Sequence, residues 1–252
     1  ILMRILIDIN HPAHVHYFKN FTIKMQEKGH VVIFTCRDKE IVVSLLQHYG
    51  FNFFNFWKPY KSSLGKIFGL FYFSLRLFLV ALKQNPDIYI NATIYSAIVA
   101  WIMGKPHISL EDTYNMEQVR LYSPFTSCIL TGDYEHPPMG KKEIKYAGYQ
   151  ELLYLHPNEF KPDKNIYKTL GIYEDEKFVI IRFVSWNASH DKGHKGISFE
   201  NKVRALRIFE KYAKVFISSE KELPRELKPF QIKIAPEKIH DAIAFSSLLF
   251  GE

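Results

Sequence analysis

The 252-residue sequence contains only two cysteines, Cys36 and Cys128, and each lies in an apolar, strand-like run. So few cysteines exclude a small scaffold held together by disulfides. The first apolar run, ILMRILIDI, has no basic segment before it and is too short for a targeting segment. We therefore expect two reduced thiols in a protein core, and a cytoplasmic location.

Dense lysine and arginine runs are also missing, as are RGG and RS repeats. The formal net charge of +7 is spread along the chain, a pattern that argues against a nucleic-acid-binding protein. It suits anionic ligands such as nucleotide phosphates, or an acidic membrane surface. No set of Cys, His and Asp residues in the sequence has the spacing of a familiar metal site. We predict neither a metal nor a resident cofactor.

The first half of the sequence alternates short apolar runs with helical patterns. The runs are mostly continuous rather than alternating, as in strands buried in a parallel sheet. Strands are predicted at Arg4–Ile9, Val31–Thr35, Asp87–Asn91, His107–Leu110 and Cys128–Thr131. Helices are predicted over residues 14–28, 38–49, 62–84 and 94–103. Residues 1–150 are therefore predicted to form a doubly wound α/β domain.

A second α/β pattern follows a predicted connector over residues 151–172. Over residues 173–252, strands are predicted at 177–184, 214–219, 232–235 and 247–252, and helices at 198–212 and 237–245. A parallel strand with no following helix leaves one face of its sheet bare. We therefore expect this second domain to be incomplete in the sequence.

The most apolar segment, LGKIFGLFYFSLRLFLVALKQ, covers residues 64–84. Arg76 near its middle would cost about 2.5–3.5 kcal/mol in a bilayer core, and the chain returns at once to a strand of the same sheet. A membrane span is therefore disfavoured. Two interpretations of helix 62–84 stay open: a helix in the protein core, or peripheral attachment to an anionic membrane through an apolar face flanked by cations. Those cations are Lys58, Lys61, Lys66 and Arg76.

In an open α/β sheet, ligands bind beyond the carboxyl ends of the strands. The polar residues that follow the predicted strands of the first domain are therefore candidate site residues. They are Asn10, His11, His14, Arg37, Asn91, Thr93, Glu111 and Asp112. Each also has a structural interpretation: Asn91 and Thr93 suit a helix cap, and the charged residues suit a helix start.

In the second domain, the loop with the most polar residues and glycines is RFVSWNASHDKGHKG, residues 182–196. A structural turn needs far fewer residues, so we expect this loop to bind a ligand. The candidates in and after it are Arg182, Ser185, Trp186, Ser189 and His190, and the next strand ends in Ser218, Ser219 and Glu220.

Three histidines crowd the segment DINHPAHVHYF, residues 8–18. The helical spacing of the apolar residues that follow, and Pro12 in a first helical turn, predict a helix here. His14 and His16 would then lie about 200° apart and could not hold one ion. His11 and His14 would face the crevice, where the helix dipole lowers a histidine pKa and favours a neutral imidazole that accepts a proton. We predict one such histidine as a general base or substrate binder.

Several segments resemble an uncharacterised family of archaeal and bacterial proteins, labelled as a domain of unknown function. The family is assigned to the superfamily of GT-B glycosyltransferases and UDP-N-acetylglucosamine 2-epimerases. The matching segments are MRILIDINHPAHVHYFKNFTIKMQEKGHVVIFTCRDKE, YLHPNEFKPD, FVIIRFVSWNASHDKGHKGIS, KVFISSEKELP and PEKIHDAIAFSSLLFGE.

The resemblance implies a GT-B-like α/β fold, with two Rossmann-like doubly wound domains facing a cleft. The first would hold the acceptor and the second a nucleotide-sugar, UDP-linked in the expected case. It implies a metal-independent reaction with His14 as the base, Arg182, Ser185 and His190 at the donor phosphates, and His240 near the nucleotide base.

Three functions follow as expectations. The first is a glycosyltransferase that transfers a sugar to an envelope polysaccharide or glycolipid at the inner face of the cell membrane. The second is a nucleotide-sugar 2-epimerase, in which Glu111 and Asp112 share the proton transfers. The third is a non-catalytic binding protein with the same fold.

Overall fold

The computed structural model describes residues 1–58, 60, 62–91, 93–184 and 196–251. The chain divides into two compact units, Ile1–Phe160 and Lys161–Glu252. The segment expected to be a connector is divided between them, since residues 151–160 belong to unit 1 and residues 161–172 to unit 2.

Unit 1 is built on a parallel sheet of seven strands. They are β1 (Arg4–Ile9), β2 (Val31–Cys36), β3 (Phe53–Asn55), β4 (Ile88–Ile90), β5 (His107–Leu110), β6 (Cys128–Gly132) and β7 (Glu143–Tyr146). The order across the sheet is β3-β2-β1-β4-β5-β6-β7. The chain runs outward from β1 to β3 and then continues from β4 on the other side of β1. This reversal opens a crevice beyond the carboxyl ends of β1 and β4.

Among the described residues of unit 1, five helices lie between these strands: α1 (Pro12–Glu27), α2 (Val42–His48), α3 (Ser63–Gln84), α4 (Ile94–Ile102) and α5 (Met116–Tyr122). A short helix, α6 (Leu152–Leu155), follows β7. The start of α1 is set by local chemistry, because Pro12 occupies the first turn and His11 accepts a hydrogen bond from the Ala13 amide. At α3, Ser62 caps the start, and Asn85 ends the helix in the left-handed conformation.

The side chains of β1 alternate between two hydrophobic cores. Ile5, Ile7 and Ile9 pack toward α1 and α2, whereas Leu6 packs with Tyr89 and the inner residues of α3. With a side-chain period of two, Asp8 falls on the same face of the strand as Leu6. A carboxylate is therefore buried at the carboxyl end of the central strand.

The five strands predicted for the first half are confirmed, each to within one residue at either end. The short edge strands β3 and β7 and the short helix α5 were not predicted. β7 (EIKY) has the polar composition of an edge strand, so it lacks the apolar run that marks a buried one. Both cysteines are free, and burial raises the pKa of Cys36 to about 12.

Unit 2 contains a parallel sheet of order β10-β8-β9 among the residues that the structure describes. The strands are β8 (Phe178–Phe183), β9 (Lys214–Ser219) and β10 (Leu248–Gly251), and the helices are α7 (Asn165–Leu170), α8 (Phe199–Phe209) and α9 (Ile239–Phe245). Short 3-10 turns lie at Lys228–Phe230 and Pro236–Lys238. The prediction of a strand at 232–235 is wrong: the neighbouring Gln231 makes a single bridge to Ile217 and the chain then turns away.

Candidate functional site

A buried carboxylate, Asp8, organises the strand ends of unit 1. Its side chain is 0% exposed and accepts hydrogen bonds from Thr35 Oγ1 at 2.7 Å, Arg37 Nη1 at 2.8 Å and Thr93 Oγ1 at 2.5 Å. These donors come from β2, from the residue after it, and from the residue before α4. Asp8 therefore ties three chain segments together where the crevice begins.

Arg37 and Thr93 were expected to contact substrate, and the structure places both inside the protein. Arg37 is buried, with its guanidinium 4.9 Å from the ring centroid of Tyr95 and its charge matched by Asp8. Thr93 caps α4 by accepting a hydrogen bond from the Ser96 amide. Their contacts support a role in shaping the strand ends rather than in binding a ligand directly.

Asn91 links this buried group to the first turn of α1. It is fully buried and its φ of 104° lies in the left-handed region. Its Nδ2 donates to the Asp8 carbonyl oxygen at 2.8 Å and lies 2.7 Å from His14 Nδ1. His14 is thus held at the crevice by a residue that follows β4.

His14 is half-buried and uncharged near neutral pH. Its pKa is lowered to about 3, first by burial and then by the positive charges of His11, Arg37 and Lys39. The sequence predicted a lowered pKa from the helix dipole, whereas the structure adds burial as the leading cause.

His16 lies apart from His14, stacked on Tyr154 with 5.5 Å between ring centroids. Helical phasing had predicted this separation. Within the described part of the chain, no group of three or more His, Cys, Asp or Glu side chains could hold a metal ion.

Asp112 provides a partly exposed carboxylate near His14. Tyr17, one turn after His14 on α1, donates its hydroxyl to Asp112 Oδ2 at 2.8 Å, and its ring centroid lies 5.8 Å from that of His14. Burial raises the pKa of Asp112, while the Tyr17 hydrogen bond and the charge of His11 partly oppose this. A carboxylate with a raised pKa is suited to accept a proton.

The carboxylate of Glu111, the neighbour of Asp112, is hydrogen-bonded to residues that follow it closely in the chain. Its Oε1 accepts from the Thr113 amide, the Thr113 hydroxyl and the Tyr114 amide at 3.0–3.2 Å, and its Oε2 accepts from the Tyr122 hydroxyl at 2.6 Å. Glu111 is only 4% exposed. Two adjacent carboxylates with the same predicted role thus have different surroundings.

The remaining candidates of unit 1 lie at the same edge. His11 is exposed and caps α1. Asn10 has a buried Oδ1 that lacks a hydrogen-bond partner within the described residues. Such an unsatisfied acceptor is uncommon in a folded protein, so either a water molecule or a ligand donor is expected to pair with it.

In unit 2, three predicted residues meet at the carboxyl ends of β8 and β9. Arg182 donates to Ser218 Oγ at 3.1 Å and to Glu220 Oε1 at 2.8 Å. Ser219 accepts from the Lys221 amide, and His240 is half-buried on α9. The predicted residues Ser185, Trp186, Ser189 and His190 lie outside the described residues.

Sequence reasoning missed Asp8 and Tyr17. Asp8 is a charge inside an otherwise apolar strand, RILIDI, and such an exception was a readable signal. Tyr17 is three residues after His14 and therefore shares its helix face. Its contact with Asp112 joins segments 95 residues apart, which no local pattern shows.

A family model described as "Protein of unknown function (DUF354)" matches residues 3–226, most of the chain. The chain belongs to this family. The resemblance identified from the sequence segments is thereby confirmed at the family level. A search among curated proteins gave no match.

Solved structures extend this DUF354 assignment to a fold. The chain is similar to UDP-GlcNAc 2-epimerase from Neisseria meningitidis bound to UDP-GlcNAc, with TM-score 0.66 and 14% identity, covering 99% of this chain and 77% of that one. It is similar to UDP-GlcNAc 2-epimerase from Methanocaldococcus jannaschii, with TM-score 0.66 and 11% identity, covering 99% and 78%. It is also similar to the Streptomyces sp. SF2575 glycosyltransferase SsfS6, with TM-score 0.57 and 12% identity, covering 99% and 76%. The DUF354 chain therefore has the α/β, GT-B-like fold that its sequence predicted.

Proposed function

We propose that this protein is a glycosyltransferase that moves a sugar from a nucleotide-sugar to a lipid-linked or polysaccharide acceptor at the inner face of a membrane. The GT-B-like fold supports a nucleotide-sugar substrate, because the similar structures named above include a glycosyltransferase and two UDP-GlcNAc 2-epimerases. The choice between the two reactions rests on the carboxylates after β5.

The observation that carries the proposal is the contrast between Glu111 and Asp112. Burial raises the pKa of both carboxyl groups, so exposure and hydrogen bonding are what distinguish them. Sugar transfer needs one base for the acceptor hydroxyl, and Asp112, the partly exposed one, meets that need. Epimerisation with shared proton transfers would need both carboxylates. Glu111 would first have to give up hydrogen bonds on both of its oxygens.

In the proposed transfer, the acceptor oxygen forms a bond to C1 of the sugar while the bond between C1 and the diphosphate oxygen breaks. The electron pair leaves with the nucleoside diphosphate, and the acceptor proton passes to Asp112. Considered by itself, unit 2 offers the Arg182 guanidinium and the Ser218 hydroxyl, which are suited to bind phosphate oxygens. A metal-independent transferase must stabilise the departing phosphates with protein groups of this kind.

A membrane acceptor is supported by the outer face of α3. By length and composition, Ile67–Gln84 is able to cross a bilayer, but Phe73, Leu77 and Ala81 pack on the β1–β4 core. The opposite face carries seven large apolar side chains that are each 53–81% exposed. They are Leu64, Ile67, Phe68, Phe71, Leu75, Leu79 and Leu82, which we call the apolar stripe.

Charge favours an anionic lipid surface as the occupant of the apolar stripe. From Ile41 to Pro86 the sequence contains no Asp or Glu but five cations, Lys58, Lys61, Lys66, Arg76 and Lys83. A helix of this kind lies in the interface with its apolar side buried about 5–10 Å deep, and basic residues attract the anionic headgroups. A large exposed apolar surface on a folded domain commonly marks a site of interaction with a protein or a membrane.

The reaction is tested by incubating the protein with UDP-GlcNAc, alone and with vesicles made from a bacterial lipid extract. We expect UDP release and sugar incorporation into lipid only with vesicles, and a loss of about 10²-fold or more for Asp112→Asn. Glu111→Gln, checked for folding, serves as the matched control and retains transfer. Epimerised UDP-sugar formed without vesicles would establish the epimerase instead. Binding of UDP-GlcNAc without any turnover would favour the non-catalytic binding protein.

Membrane attachment is tested by co-sedimentation with vesicles of anionic or zwitterionic phospholipid. We expect binding to anionic vesicles only. Each buried large apolar side chain contributes about 1.5–3 kcal/mol, so we expect a decrease of about 10²-fold or more for Phe71→Ser with Leu75→Ser. Leu121→Ser, an exposed apolar residue on α5, is the control. A dimer that the double variant dissociates, with no vesicle binding by the parent protein, would assign the apolar stripe to a second copy.

A further inference from the structure

We propose that His14 acts as a neutral hydrogen-bond donor, presenting Nε2–H to an oxygen of the ligand, and that Asn91 is the positioning residue that selects this tautomer. The identity of the ligand rests on the proposed function. The tautomer itself is a property of the folded chain and is testable without any substrate.

The orientation of the Asn91 amide decides the tautomer. Nδ2 lies 2.8 Å from the Asp8 carbonyl oxygen, which only accepts hydrogen bonds, so the amide nitrogen must face it. The same nitrogen lies 2.7 Å from His14 Nδ1. An amide NH2 group has no acceptor to offer, so Nδ1 must be the acceptor. In a neutral imidazole the proton then resides on Nε2.

Protonation of His14 is opposed from several sides. A proton on Nδ1 would point at the Asn91 N–H, and Arg37 and Lys39 add positive charge from the segment after β2. The two nearby carboxylates do not compensate, because Asp8 is bonded to Arg37 and Asp112 accepts from Tyr17. The lowering of the His14 pKa to about 3 agrees with this geometry. An imidazole so hard to protonate is a weak base at neutral pH.

Asn91 holds this arrangement at a conformational cost. Its φ of 104° is a conformation that L-residues rarely adopt, and such residues are typically strained by about 1–3 kcal/mol. Strain of this kind persists where surrounding contacts determine it, here the buried bonds to Asp8 and His14. This strained backbone conformation places the Asn91 side-chain amide within hydrogen-bond distance of both the Asp8 carbonyl oxygen and His14 Nδ1.

The other side of the imidazole is open for a ligand. His14 is only half-buried, and its Nε2 has no hydrogen-bond partner among the described residues. A neutral Nε2–H there can polarise a carbonyl, hydroxyl or phosphate oxygen without introducing a charge. Asp112 then takes the proton and His14 orients the oxygen, which separates two roles that the sequence had combined in His14.

The tautomer is tested by long-range ¹H–¹⁵N correlation spectroscopy of the histidine side chains, with His14 assigned by its loss in His14→Gln. We expect a single tautomer with the proton on Nε2, and no titration between about pH 5 and pH 8, where an ordinary histidine changes charge. A proton on Nδ1, or a titration in that range, would overturn the proposal whether or not the protein is a glycosyltransferase.

Two variants of Asn91 test its positioning role. Asn91→Gly suits the positive φ and removes the amide, so we expect both tautomers and a His14 pKa moved up toward the ordinary value. Asn91→Asp places an acceptor beside Nδ1, so we expect the proton to move to Nδ1 and the pKa to rise. If the His14 spectrum of folded Asn91→Gly equals that of the parent, Asn91 does not set the tautomer.

The donor role is tested in the transfer assay by comparing His14→Gln with His14→Ala. The glutamine amide can donate a hydrogen bond but cannot act as a base. We expect His14→Gln to stay within roughly tenfold of the parent, about the effect of one altered hydrogen bond, and His14→Ala to fall well below it. Equal losses in both variants, of about 10²-fold or more, would instead identify His14 as the base.

Discussion

Two arginine–carboxylate pairs lie at the carboxyl ends of strands in this protein, one in each unit. The Arg37–Asp8 and Arg182–Glu220 pairs have the same N–O distance of 2.8 Å. In unit 1 the side chains are 4% and 0% exposed, whereas in unit 2 they are 41% and 37% exposed. The two pairs share their chemistry and their N–O distance, and they differ in access to solvent.

That difference in solvent exposure distinguishes an ion pair that holds the fold together from one whose partners can separate. Asp8 and Arg37 have lost their water, so each depends on the other and on the hydroxyls around them. Arg182 and Glu220 remain hydrated, so little free energy holds them together. Under the proposed function we therefore expect a phosphate to displace Glu220 from Arg182, because a guanidinium binds both groups through similar hydrogen bonds. Access, rather than distance, identifies which arginine can bind a ligand.

The largest effect is expected when one partner of the buried pair is removed. Asp8→Asn leaves the Arg37 charge buried without its counterion, and we expect the free energy of unfolding to fall by about 3–5 kcal/mol. Urea denaturation measures this change. The matched variant Glu220→Gln breaks the exposed pair and should lower it by about 0–1 kcal/mol. Similar losses in the two variants would remove the distinction between the pairs.

At about pH 5.5, one unit below the ordinary histidine pKa, a smaller effect is expected at His14, which is half-buried. Its pKa is near 6.5 in the unfolded chain and about 3 in the folded one, so on acidification the unfolded state binds the proton first. Stability from this site is therefore complete above about pH 6.5 and is lost as the pH falls toward 3, by at most about 1.4 kcal/mol per pH unit.

Thermal unfolding of His14→Gln across this pH range measures that contribution. We expect the difference in stability between the parent and the variant to shift in favour of the variant as the pH falls. A difference that is independent of pH between 6.5 and 4 would contradict the lowered pKa.

The smallest effect is expected for ligand binding at the exposed pair. Glu220→Gln removes the carboxylate that competes for Arg182, so UDP should bind up to about fivefold more tightly, the equivalent of an exposed ion pair. Titration calorimetry with UDP provides the measurement. Glu222→Gln, which removes an exposed pair with Lys228, is the control. Weaker UDP binding by Glu220→Gln would indicate that Glu220 itself contacts the ligand.

Helix α3 shows which structural features could be predicted from the sequence and which could not. Its length and apolar character were predictable, but the two interpretations, core helix or membrane-facing helix, could not be separated. The structure shows that the inner face packs on β1 and β4 while the apolar stripe is exposed. Each interpretation therefore describes one face, and periodicity alone could not say how much of the helix the sheet covers.

Local patterns determined the strands of the first half, the helix start after His11 and the separation of His14 from His16, because these depend on residues a few positions apart. The sequence also determined which polar residues follow the strands. Tertiary structure alone decided which of these polar side chains are buried and which remain exposed to solvent. Asp8 meets Thr93 across 85 positions and Asn91 meets His14 across 77. The burial, tautomer and pKa of a side chain depend on these distant neighbours. Only folding therefore buries Arg37, fills the hydrogen-bonding capacity of both Glu111 oxygens, and makes His14 the neutral donor that we propose.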